Sequence, residues 1–262
     1  ASELERRVSR QLTSRRGIRA VLVGALCLGL GACATGADLD PTNGIYDPYE
    51  TQNRQVHEFN RGLDRAIVRP VALTYSNVLP DGVEVTVSNF ATNLGQPSVL
   101  VNSLLQGDVR GAGIATGRFL MNSTIGIGGL IDAATEFGVP QHDTDFGETL
   151  FVWGSDEGPY VELPFFGPST SRDAVGRFVD LFTDPLRSAL DSPEQYYGTA
   201  ASVASGLGTR GRFTDTVDSI RYDSADSYAQ SRLIYLQNRR FELGETEQGG
   251  EIDPFDLDTS GF

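Results

Sequence analysis

Two histidines and two cysteines are the side chains here best suited to nucleophilic or metal chemistry, and their surroundings limit what they can do. His57 sits among Asn53, Arg54 and Asn60 in an amphipathic stretch, where a solvated or capping role is expected. His142 lies in Gln141-His142-Asp143-Thr144-Asp145. That order supplies metal-ligand types, but no second ligand cluster accompanies it, so turn chemistry is the reading. No G-x-S-x-G elbow, phosphate-binding P-loop or H-E-x-x-H pair occurs. Gly126-x-Gly128-Gly129 is a fragment of a nucleotide fingerprint without the strand that should precede it. A serine, a histidine and an acid could still meet in space, and a hydrolase built from this chain would need His57 or His142 for that. The sequence assigns no catalytic residue, no metal ligand and no cofactor.

Charge narrows the partners. The 262 residues carry a formal net charge of −14 and contain no lysine, so every basic residue is arginine. Clustered cations are what a nucleic-acid binder needs for counterion release, and nucleic acid is excluded as a partner on that ground. The charge is uneven: residues 1–32 hold six arginines against two glutamates, leaving −18 for the remainder. After those arginines comes the apolar run Ala20–Ala32, 13 residues long. A bilayer span needs about 20. A basic stretch, a short apolar run and a small-residue cleavage site make a secretory signal peptide. The run ends in Leu30-Gly31-Ala32-Cys33, which resembles the lipobox of bacterial lipoproteins. Cleavage before Cys33 would remove Cys27 and leave one cysteine at the new N-terminus, where acylation disposes of a free thiol. Two or more acyl chains make a stable anchor where one does not. Ala34 after the cysteine points to the outer membrane by resemblance to enterobacterial sorting.

Elements must then position whatever polar chemistry the body holds. The expected organisation is a signal peptide over 1–32, a lipidated tether over 33–46, a helical domain over 47–243 and an acidic tail over 244–262. That tail has six acids and no base, and is expected to be disordered. Asp47, Pro48 and Glu50 give the start of a first helix, with Asp47 as N-cap. Tyr49, Val56, Phe59, Leu63, Ala66 and Ile67 fall on one face of it. Pro70 and Pro80 bracket a second helix, Val83 to Leu94 continue helical spacing, and Pro97 is expected to open a separate helix closed by Gly107. A glycine-rich helix runs through Arg118 to Asn122. Tyr160–Leu163 reads as a strand of a β-hairpin. Thr170 to Asp173 form a capping box for the next helix, and helical patterns resume from Pro193 and from Ser224 to Leu243. Phe146, Phe151, Trp153, Tyr160, Phe165 and Phe166 crowd the hairpin, either as core or as an interfacial belt.

From Asp47 to about Arg240 the chain resembles the MlaA/VacJ family of outer-membrane lipoproteins. The stretches that carry the resemblance are DPYE at 47–50, NR at 53–54, IVRPVA at 67–72, SNFATNL at 88–94, PSVLVNSLLQGD at 97–108 and RFLMNSTIGIGGLIDAA at 118–134. They continue with DFGETL at 145–150, GPYVELPFFGPST at 158–170, RDAVG at 172–176 and, more loosely, YAQSRLIYLQNRR. The resemblance implies a mainly α-helical, ring-like, membrane-embedded domain with one short β-hairpin. It implies a polar channel for phospholipid headgroups in the periplasmic-side leaflet of the outer membrane, and no enzymatic step. A periplasmic lipid carrier and a trimeric porin are the protein partners it implies. Gly154 and Gly158 match the hairpin beside the channel as hinges or as plain tight turns. Asp132, Glu148, Arg172 and Asp173 lie in the matching stretches, where they would line the channel or serve as caps or ion pairs. A lipid hydrolase and a purely structural envelope lipoprotein are the competing readings.

Overall fold

The structure is a computed structural model that describes residues 45–245. The signal peptide, Cys33, most of the tether and nearly all of the acidic tail lie outside the described residues. The rest is helical apart from one hairpin.

Helix α1 spans Glu50–Leu63 and runs on through a π-helical turn, Asp64–Val68, into α2, Arg69–Val78. Pro70 therefore does not begin a new helix. Its missing N–H and its ring disturb the ladder one turn back, and the wider π turn lies there, with the Arg69 amide bonded to the Asp64 carbonyl five residues earlier. The expected Asp47 cap is also absent. Tyr49 takes the N-cap position with no side-chain bond, because the Asp47 carboxylate is drawn instead to Arg232 and Tyr228. An ion pair in a dry site outcompetes a neutral amide for a carboxylate.

The long helix α3, Asp81–Gln106, passes straight through Pro97 and ends at Gly107 in the left-handed conformation. The expected break at Pro97 does not occur. An interior proline costs roughly 3 kcal/mol, and α3 packs along both α4 (Val109–Thr124) and α9 (Tyr197–Arg212), which hold it continuous. Helix α5 is a single turn, Ala133–Glu136, and α6, Phe146–Val152, is a short helix that the sequence did not advertise. The hairpin pairs β1 (Tyr160–Leu163) with β2 (Gly167–Thr170), placing Tyr160 opposite Thr170 and Leu163 opposite Gly167.

Thr170 then caps α7, Ser171–Thr183, by accepting from the Asp173 amide, as its capping box requires. Helix α8 (Pro185–Ala189), a 3₁₀ turn (Glu194–Tyr196), α9, α10 (Thr214–Asp218), a second π turn (Ser219–Asp223) and α11 (Ser227–Glu242) complete the chain. Among the described residues no helix is long and apolar enough to cross a membrane.

Pro97→Ala should raise thermal stability by about 1–2 kcal/mol, since it restores a backbone hydrogen bond inside a continuous helix. The check is a melting curve in detergent. A proline at a helix start would give no gain or a loss.

Candidate functional site

Burial in this fold is inverted with respect to polarity. On α3 the buried positions are Glu84, Asn93, Gln96, Val99, Asn102 and Ser103, while Val83, Val85, Leu104 and Leu105 are exposed. On α1 the buried side chains are Asn53, His57 and Asn60, and Phe59 faces out, as does Ile67 in the π turn that follows. Helix α7 buries Arg172, Asp173 and Gly176 and exposes Phe178, Leu181 and Phe182. The largest fully buried side chain is Arg118. Buried apolar groups are mostly small: Ala72, Ala112, Ala115, Ala133, Ala134 and Ala201. Exposed apolar surface on this scale marks contact with lipid or protein.

Arg118, Arg210, Arg232 and Arg239 each donate to a carboxylate, whereas buried Arg172 comes no nearer than 3.7 Å to one. Arg118 donates from Nη2 to both Asp132 oxygens at 2.9 and 2.7 Å, and from Nη1 to the Val139 carbonyl at 2.8 Å. Asn122 reaches the same carboxylate at 3.0 Å, and Asp132 caps α5 through the Thr135 amide. Burial pushes the Asp132 carboxyl up, but the bonds from Thr135, Asn122 and Arg118 outweigh it, and the group lies below the ordinary range. These contacts tie down the loop over 125–131, where Gly129 has φ +93° and a Cβ would strike the Asn93 amide at 2.6 Å. Arg239 binds Asp173 at 3.1 Å and Asp145 at 2.7 Å, and Tyr235 donates to Asp173. Arg210 joins Asp64 at 2.8 Å to Asp218 at 2.6 Å. Asp180, on α7, accepts from Asn102 and from the Phe146 amide, and burial raises its pKa.

The positions singled out by sequence fall as follows. Asp132 and Asp173 are bound in the pairs just described. Glu148 lies half-buried in the first turn of α6. Arg172 is buried with its guanidinium 5.1 Å over the Phe151 ring, 3.3 Å from the Ser155 carbonyl and 3.7 Å from Asp173. Its Nε and Nη2 have no hydrogen-bond partner among the described residues. Gly154 (φ +87°) ends α6 in a Schellman arrangement, the Ser155 amide bonding back to the Leu150 carbonyl. Gly158 has φ +71°, and a Cβ there would lie 2.0 Å from the Ser171 hydroxyl. Of the hairpin aromatics, Tyr160 is core, whereas Trp153, Phe165 and Phe166 are 55–72% exposed.

One of the two histidines departs from its expected setting. His57 is buried rather than solvated, held between Glu162 on β1 and Ser227 on α11. Its partners lie more than a hundred residues away, so no local pattern announced them. His142 stands 3.2 Å from Ser103 and 3.5 Å from Asp108. Among the described residues no group of three or more His, Cys, Asp or Glu could hold a metal. Arg54 binds Asp226 through two bonds of 3.0 and 2.9 Å and holds that carboxyl down to about 2.

Arg118→Ala should cost about 3–5 kcal/mol, because it strands a partly buried carboxylate and frees the loop over 125–131. A melting curve in detergent reads the loss. Asp226 has its folded pKa below the ordinary 3.8, so its contribution is present above pH 4 and vanishes as pH falls through about 2. Both partners are nearly half exposed, which limits the contribution to less than about 1 kcal/mol. Asp226→Asn should flatten the stability profile across that window.

Comparison with known proteins places this architecture. The family model described as MlaA lipoprotein matches residues 45–242. The intermembrane phospholipid transport system lipoprotein MlaA of Escherichia coli (strain K12) is 36% identical over 240 residues, covering 88% of this chain and 91% of that one. The protein of the same name from Haemophilus influenzae is 29% identical over 88% of this chain and 93% of its own. A solved structure described as the structural basis for maintenance of bacterial outer membrane lipid asymmetry superposes with a TM-score of 0.64. It is 35% identical and covers 75% of this chain and 98% of that one.

Proposed function

The chain belongs to the MlaA lipoprotein family, and from that premise we propose that it removes phospholipid misplaced in the outer leaflet of the outer membrane and passes it on for return to the inner membrane. The observation that carries this reading is the inverted burial: polar side chains inside, large apolar ones outside. In lipid, an apolar exterior is the stable one, and polar groups persist only where they meet one another or line a water-filled path. A ring-like body in the periplasmic-side leaflet, anchored through acyl chains on Cys33, would offer such a path. The headgroup would travel among polar walls while the acyl tails remain in lipid, with no bond of the lipid made or broken.

Within that path Asp132, Glu148, Arg172 and Asp173 are the proposed lining. Asp132 and Asp173 have their charge balanced by arginine and shape the wall. Arg172 differs, since its buried unpartnered N–H groups suit a phosphate oxygen. Gly154 and Gly158 would let the hairpin swing beside it. The exposed aromatic and aliphatic belt supports contact with acyl chains and with a trimeric porin. A soluble periplasmic carrier would receive the lipid.

The test is the phospholipid content of the outer leaflet in cells lacking this protein, then re-expressing it with or without Cys33. Phospholipid should accumulate without the protein and clear only with the acylatable form. An unchanged outer leaflet would refute the reading. At equal protein level, Arg172→Ala should slow clearance about tenfold, the equivalent of one lost charged hydrogen bond of about 1.4 kcal/mol.

A further inference from the structure

One edge of β1 pairs with β2, and the other edge faces α1 rather than a further strand. Buried backbone groups on such an edge need partners, and here side chains supply them. Asn53 and Asn60 stand two turns apart on one face of α1, and both are buried. Asn53 donates to the Tyr160 carbonyl at 3.1 Å and accepts from the Glu162 amide at 2.9 Å. Asn60 donates to the Leu163 carbonyl at 3.0 Å and accepts from the Phe165 amide at 2.8 Å. Each carboxamide thus joins a C=O to the N–H two residues on, the pair of groups that a residue of a neighbouring parallel strand would join. The first clamp is itself held, since Asn53 also donates to Asp47 at 2.9 Å and Asp47 accepts from Arg232 and Tyr228.

The clamped strand leads directly to Arg172. The Arg172 guanidinium donates to the Ser155 carbonyl at 3.3 Å, and its amide donates to the Glu157 carbonyl at 3.4 Å. The Ser171 amide bonds to the carbonyl of Pro159, the residue before β1, at 2.9 Å. Arg172 therefore rests on the segment 155–159. That segment has a loose point at each end of its first half, Gly154 at φ +87° and Gly158 at φ +71°. Glycine resists such backbone changes least, so the segment depends on β1 for its position.

We propose that Asn53 and Asn60 are positioning residues for headgroup transfer: by clamping the free edge of β1 they fix the segment 155–159 and, through it, the direction of the Arg172 guanidinium. The inference rests on the phosphate contact proposed above for Arg172. Neither asparagine touches the lipid. Loss of a clamp frees β1 to shift, and the Ser155 and Glu157 carbonyls that aim Arg172 shift with it.

The first test is amide hydrogen exchange on the full lipidated chain in detergent. The Glu162 and Phe165 amides should exchange slowly in wild type. Asn53→Ala should speed exchange at Glu162 at least about tenfold and Asn60→Ala should do the same at Phe165, with Ala115, buried in α4, unchanged in both. The second test is clearance of outer-leaflet phospholipid in cells at equal protein level. Each asparagine variant should slow clearance about three- to tenfold, and combining it with Arg172→Ala should give the rate of Arg172→Ala alone. A role in stability only would leave the two losses to multiply. Fast exchange of both amides in wild type, exchange unaltered in both variants, clearance at the wild-type rate, or losses that multiply would each overturn the proposal. A wild type that clears no phospholipid would sink the transport reading instead, and the exchange rates would still decide whether the clamp exists.

Discussion

A guanidinium withdrawn from water costs several kcal/mol unless a carboxylate withdraws with it, and the carboxylate is worse off alone. That requirement organises the interior of this chain. Arg118 takes Asp132, Arg210 takes Asp64 and Asp218, Arg232 takes Asp47, and Arg239 takes Asp173 and Asp145. Arg118–Asp132 and Arg210–Asp218 are local, but the pairs of Arg210 with Asp64, Arg232 with Asp47 and Arg239 with Asp173 and Asp145 join segments far apart in sequence and so fix which helices lie together. Arginine suits the task better than lysine would. Arg118 donates from two nitrogens to a carboxylate, a hydroxyl and backbone carbonyls at once, a geometry a point-charged ammonium does not reproduce.

The pairing also explains why the apolar side chains are outside. Helices whose inward faces carry Asn, Glu, Arg and Asp have their Val, Leu, Ile and Phe left for the perimeter. In water such a surface is costly, whereas in acyl chains, where the proposed function would set it, it costs nothing. Small inward residues, chiefly alanine and glycine, let the helices approach; a Cβ at Gly176 would strike the Gly147 backbone at 2.3 Å. Under the proposed function, this sorting would give a headgroup one route and the tails another.

The sequence made the helical class, the hairpin and the Thr170 cap legible, because local spacing and capping chemistry determine them. Periodicity also located the apolar face at Tyr49, Phe59 and Ile67, along α1 and the turns that flank it, but periodicity does not say which way a face points. That depends on the surrounding solvent. Asp47 and His57 were misread for a related reason: a capping box and an amphipathic stretch are local patterns, and Arg232, Ser227 and Glu162 are distant partners. Pro97 was misread because a proline breaks an isolated helix, whereas α4 and α9 hold this one. Asp132 and Asp173 were legible as caps or ion pairs, while the unpartnered N–H groups of Arg172 and the bonds from Asn53 and Asn60 to the hairpin arise only from packing.

If the apolar exterior lies in lipid, as proposed, the chain's single tryptophan, Trp153, reports on it directly. Trp153 is 55% exposed at the end of α6, its indole N–H bonded to the Leu105 carbonyl. With the full chain in bilayers, lipids brominated along the acyl chain should quench its emission strongly, and aqueous iodide should quench it little. Strong iodide quenching with no effect of the brominated lipids would place that surface in water and contradict the account.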